Sequence, residues 1–66
     1  MLKGYENYES ILVRMYQRSD RIIRISRLKG MEFFFYAEVK YLDHVEISPR
    51  LKTVAGCEAW VHSQIG

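Results

Sequence analysis

A chain of 66 residues has room for one domain. Its single cysteine has no intrachain disulfide partner, no Cys-x-x-Cys pair or His/Cys ladder offers a structural zinc site, and the longest apolar run, Phe33 to Ala37, falls far short of the ~20 residues that cross a bilayer as a helix. Ten Lys and Arg against eight Asp and Glu leave a net charge of only +2, while a 48% hydrophobic content argues against disorder.

Residues 1–9 are polar and tyrosine-bearing and lack the apolar centre of a signal peptide, so they are expected as a loose lead-in to a single cytoplasmic domain over 1–66. From residue 11 the apolar positions fall on odd numbers: Ile11, Val13 and Met15, then Ile23 and Ile25, then Met31, Phe33, Phe35, Ala37, Val39 and Tyr41, then Val45 and Ile47. Most charges, among them Arg14, Arg18, Arg24, Glu32, Glu38, Lys40 and Glu46, are even. A period of two with one polar face is the mark of half-buried strands, and β-branched and aromatic residues suit a pleated surface. The pattern predicts strands over 10–18, 22–27, 31–41 and 44–48.

Three-residue links set the expected register. Leu28-Lys29-Gly30 ends in glycine, where such a hairpin needs a left-handed residue, and pairs Arg27 with Met31, Ile25 with Phe33 and Ile23 with Phe35. Ser19-Asp20-Arg21 pairs Met15 with Ile25, and Leu42-Asp43-His44 sets Val39 against Ile47. All three keep the odd residues on one face, which a one-residue slip would reverse.

Pro49 ends the last strand, and Thr53 is placed to cap a helix over 54–65. Val54, Cys57, Val61 and Ile65 form its apolar stripe, with Trp60 on the shoulder; Gly56 inside it costs ~1 kcal/mol relative to alanine. The expected fold is α+β: a four-stranded antiparallel meander with one C-terminal helix on one face, ββββα. A partial helical pattern over 7–28 (Tyr8, Ile11, Leu12, Met15, Ile22, Ile23) keeps αββα as the alternative. A domain of ~60 residues buries only ~60% of its unfolded surface, so self-association is the staple left to a chain without disulfide or metal.

The enzymatic inventory is thin. Cys57 and His62 point about 140° apart on one helix and make no nucleophile–base pair, and Cys57 belongs to the core stripe. Glu58 and His62 share a helix face but supply two ligands where a structural metal site wants four. Asp43-His44 is a turn dipeptide. Glu32 and Glu38 stand ~20 Å apart on one strand, too far for paired-carboxylate chemistry, and the four glycines form no phosphate loop. The expectation is a non-enzymatic chain with no cofactor, metal, small-molecule substrate or membrane.

Charge is concentrated in the first hairpin. Residues 14–29 hold six basic residues against Asp20 alone, a local +5, while 1–13 carry −1 and 30–66 carry −2. The expected register puts Arg14, Tyr16, Arg18, Ile22, Arg24, Phe34 and Tyr36 on the face the helix leaves open, a basic and aromatic field with Arg24 between two rings. Such a field suits a protein–protein interface first, homodimerisation included. Nucleic acid is the alternative, since arginines take phosphates and aromatics stack bases. The outline of a basic antiparallel sheet backed by one helix is similar to the small DNA-binding domains of phage-type integrases, a likeness of shape that implies no residue roles.

Overall fold

Apolar residues at alternate positions, Ile23 and Ile25 and then Phe35, Ala37 and Val39, give the chain its two central strands, and the outer strands are built onto them. The computed structural model describes residues 9–65, and it contains strands β1 (Ser10–Arg18), β2 (Arg21–Leu28), β3 (Phe35–Lys40) and β4 (Val45–Ile47), followed by helix α1 (Val54–Ile65). The strands form one antiparallel sheet in the order β1-β2-β3-β4, with α1 packed on β2 and β3. This is the ββββα fold; the hairpin of β1 and β2 replaces the helix of the alternative reading. The expected lead-in falls, except for Glu9, outside the described residues.

Ile23 and Ile25 of β2, Ala37 and Val39 of β3, and Cys57 and Val61 of α1 make the fully buried core. Val54, Trp60 and Ile65 complete the helical stripe at its margins. Burying each Ile or Val side chain contributes ~1.5–3 kcal/mol. Thr53 caps the helix: Gly56 N–H donates to Thr53 Oγ1 at 2.9 Å and Cys57 N–H to the Thr53 carbonyl at 3.2 Å. A Cβ on Gly56 would lie 3.3 Å from that Oγ1, which explains a glycine in the first turn despite its propensity cost.

The chain approaches the helix along β3. Beyond β4, Ser48 pairs with Ala37: Ser48 N–H donates to the Ala37 carbonyl, and Ala37 N–H donates to Ser48 Oγ, both at 2.9 Å. Pro49 has no N–H for the ladder, and the chain bends before Leu51 pairs again with Phe35 through two 2.8 Å bonds.

The hairpins correct the expected register. The first turn is a two-residue loop, Ser19-Asp20, closed by Arg18 opposite Arg21. Ser19 takes φ 57°, the positive value that tight hairpin loops require. One residue fewer than expected places Arg14 opposite Ile25 and Met15 opposite Arg24, so Arg14, Tyr16 and Arg18 turn to the helix side and Met15 and Gln17 to the open side. A bulge at Val13 reconciles this with Ile11, which stands opposite Arg27: the extra residue switches the parity of the strand between 12 and 14. The last hairpin is also shorter by one, with Tyr41 N–H bonded to the His44 carbonyl at 2.8 Å around Leu42-Asp43. Val39 therefore faces Glu46, and Val45 and Ile47 move to the open side.

The middle link is longer than expected. Gly30 at φ 80° closes a turn in which Met31 N–H donates to the Leu28 carbonyl, but Phe33 at φ 58° breaks the extended chain and β3 begins only at Phe35. Pairing shifts by four residues: Arg27 faces Phe35, Ile25 faces Ala37 and Ile23 faces Val39. Four is even, so the central strands keep the expected faces, while Met31 and Phe33 sit exposed in the loop.

Candidate interaction face

Seven residues were expected together on the open face, and the observed register divides them. Arg14 and Tyr16 lie on the helix side, where both meet Glu58 of α1: Tyr16 Oη donates to Glu58 Oε1 at 2.8 Å and the Arg14 guanidinium pairs with Oε2. Burial, and then this carboxylate, push the Tyr16 phenol above its usual 10.0. Arg18 follows on the same side, opposite Arg21. The Arg21 guanidinium lies 5.2 Å over the Tyr41 ring, and Tyr41 stacks on His44 with centroids 4.5 Å apart. A hydrogen bond to Asp43 at 2.7 Å raises the His44 imidazole above 6.5.

Only Ile22, Arg24 and Tyr36 share the open face by register, and they differ in access. Tyr36, expected on the face the helix leaves open, is 1% exposed, with its hydroxyl 2.6 Å from Ser10 Oγ. Ser26 and Leu28 are buried with it at this end of the face. Phe34 lies in the loop before β3, half-buried, with the Arg50 guanidinium 5.2 Å over its ring. The expected sandwich of Arg24 between Tyr16 and Phe34 is absent because the first loop is one residue shorter and the middle link four residues longer than expected.

The other end of the face is open, and there the pairing aligns two rows across all four strands. One runs Met15, Arg24, Glu38, Ile47; the next runs Gln17, Ile22, Lys40, Val45. Met15 is 59% exposed, Val45 42% and Ile22 39%, and Ile47 is half-buried. Met15 and Gln17 on one side and Val45 and Ile47 on the other thus flank a central block of one acid, two bases and Ile22. Met15, Glu38, Lys40, Val45 and Ile47 were missed by sequence reasoning; the usable signal was the opposite charges of Arg24 and Glu38 on neighbouring strands.

Elsewhere the chemistry is closed. Cys57 is fully buried and desolvation pushes its thiol up to about 11, so almost none is thiolate near neutrality. Among the described residues no three His, Cys, Asp or Glu are arranged to hold a metal ion, no pocket opens, and no helix is long and apolar enough to cross a membrane. No family model, curated protein or solved structure matches the chain.

Proposed function

We propose that the chain is a non-enzymatic protein-interaction module that self-associates through the open end of its helix-free sheet face. The exposure of Met15, Ile22 and Val45 on one face, spread around the cross-strand neighbours Arg24 and Glu38, carries this reading.

The two rows are self-complementary. A two-fold axis running along the strands, midway between β2 and β3, lays Arg24 of one copy over Glu38 of the other, twice. The same operation sets Met15 over Ile47 and Ile22 over the aliphatic stem of Lys40. Four strands ~4.8 Å apart carrying two rows bury a few hundred Å² per copy, below the ~800 Å² per partner of a standard interface, so the dimer is weak and exchanges rapidly. Nucleic-acid binding through the same face has less support, since Arg14, Tyr16 and Arg18 lie on the opposite side and Tyr36 is buried.

Sedimentation equilibrium from micromolar to millimolar concentration tests the reading. The mean mass should rise towards twice that of the monomer, and Val45→Glu should hold it at the monomer value with the circular dichroism of the sheet unchanged. A folded wild-type protein that stays monomeric throughout the range contradicts it.

A further inference from the structure

β1 is an edge strand. Among the described residues it pairs with β2 alone, so every second residue along its outer side presents an N–H and a C=O without a partner strand. Of its nine residues only Tyr16 is even half-buried. Past the bulge at Val13, Arg14–Arg18 runs regularly to the hairpin turn. The two sides of this segment differ: Arg14 and Arg18 line the helix side, Met15 and Gln17 the open side. Arg14 stays 57% exposed beside Glu58, and Arg18 has no ion-pair partner among the described residues.

A second copy is a poor occupant for this edge. Antiparallel pairing through the same segment, with both helices on one side, sets Arg14 and Arg18 opposite or diagonal to their own counterparts, where like charges destabilise. No acid lies in Ser10–Arg18 to relieve them. The complementary strand carries acids towards the helix side, facing the two arginines, and apolar residues towards Met15 and the aliphatic part of Gln17.

We propose that the Arg14–Arg18 edge takes up, by strand addition, an extended acidic segment of a partner protein in which Asp or Glu alternates with apolar residues. Main-chain hydrogen bonds supply the attachment; the alternation selects the sequence. The edge shares Met15 and Gln17 with the self-association face, but its main-chain groups and its two arginines lie outside the two rows that face covers.

The test is a titration of the full ¹⁵N-labelled chain with the heptapeptide Val-Glu-Val-Glu-Val-Glu-Val, alongside the same peptide with lysine for glutamate. The glutamate peptide should shift and protect the amides of residues 14–18 and weaken with added salt. The lysine peptide should bind about tenfold more weakly, and Arg18→Glu, which leaves one base and one acid on the edge, should remove that preference. Val45→Glu, on the far strand, should leave peptide binding intact whether or not the chain dimerises. Equal binding of both peptides, shifts centred on Ile22 and Val45, or no binding at millimolar peptide each overturn the proposal.

Discussion

Glu58 holds the edge strand to the helix, and removing its carboxylate tests the register that moved Tyr16 beneath α1. In Glu58→Ala, Tyr16 Oη loses the acceptor at 2.8 Å and Arg14 loses its ion-pair partner. The hydroxyl is only part-buried, so water recovers some of the loss, leaving ~0.5–1.5 kcal/mol. The ion pair is 57% exposed on the arginine and 27% on the glutamate, which limits it to ~0.5 kcal/mol. Together these predict a loss of about 1–2 kcal/mol, a fall in Tm of about 5–15 °C for a domain of this size. Thermal unfolding by circular dichroism reads it, and Tyr16→Phe with Glu58→Ala should be less costly than the sum of the single changes. A pH series gives a second readout. A tyrosine whose folded pKa is raised binds its proton more tightly in the native state, so its contribution is complete below 10 and is lost as pH rises through the folded value. The alkaline decline should therefore shrink in Tyr16→Phe. A Glu58→Ala protein as stable as wild type, or strict additivity of the two changes, refutes the placement of Tyr16.

Met15→Ala is the complementary test: at 59% exposure the loss should stay below ~0.5 kcal/mol, whereas a methionine packed under the helix would cost ~2–5 kcal/mol, and urea titration separates the two. Thr53→Ala removes the cap of α1 and should cost about 1 kcal/mol, with hydrogen exchange fastest in the first turn of the helix; unchanged exchange there contradicts the capping role. Phe33 holds a left-handed φ of 58° with its side chain 61% exposed, so Phe33→Gly should gain about 0.5–1 kcal/mol by relieving strain, net of the entropy glycine adds to the unfolded chain. A destabilised Phe33→Gly would show that the exposed ring contributes packing that its accessibility hides.

The alternation of Ile23, Ile25, Ala37 and Val39 was enough to place the central strands and the face they bury, and Thr53 with the Cys57–Val61 stripe was enough for the helix. An error of four residues at the Gly30 turn left those faces intact because it was even. The outer strands were less legible. Whether Ser19-Asp20 or Ser19-Asp20-Arg21 forms the loop depends on Ser19 accepting a positive φ, an energy difference of ~1–2 kcal/mol that composition does not resolve. That single residue decides whether Met15 or Tyr16 lies under the helix. The last hairpin repeats the problem with Val45, Glu46 and Ile47. The bulge at Val13 hides it further, since it lets Ile11 obey the odd pattern while Tyr16 breaks it. The basic hairpin was visible in the sequence as a charge excess, but its division into an edge carrying Arg14 and Arg18 and a face carrying Arg24 follows from turn length alone.

The charge pair at the centre of the open face allows a test that intrachain effects cannot mimic. Arg24→Glu leaves two acids in the central block, and Glu38→Arg fills it with bases alone; in the two-fold arrangement each variant sets like charges over like. Each protein alone should sediment as a folded monomer. Mixed in equal amounts, they should form a heterodimer, because acid then lies over base at both positions. A mixture that stays monomeric while wild type dimerises, or single variants that dimerise as well as wild type, contradicts self-association through this face.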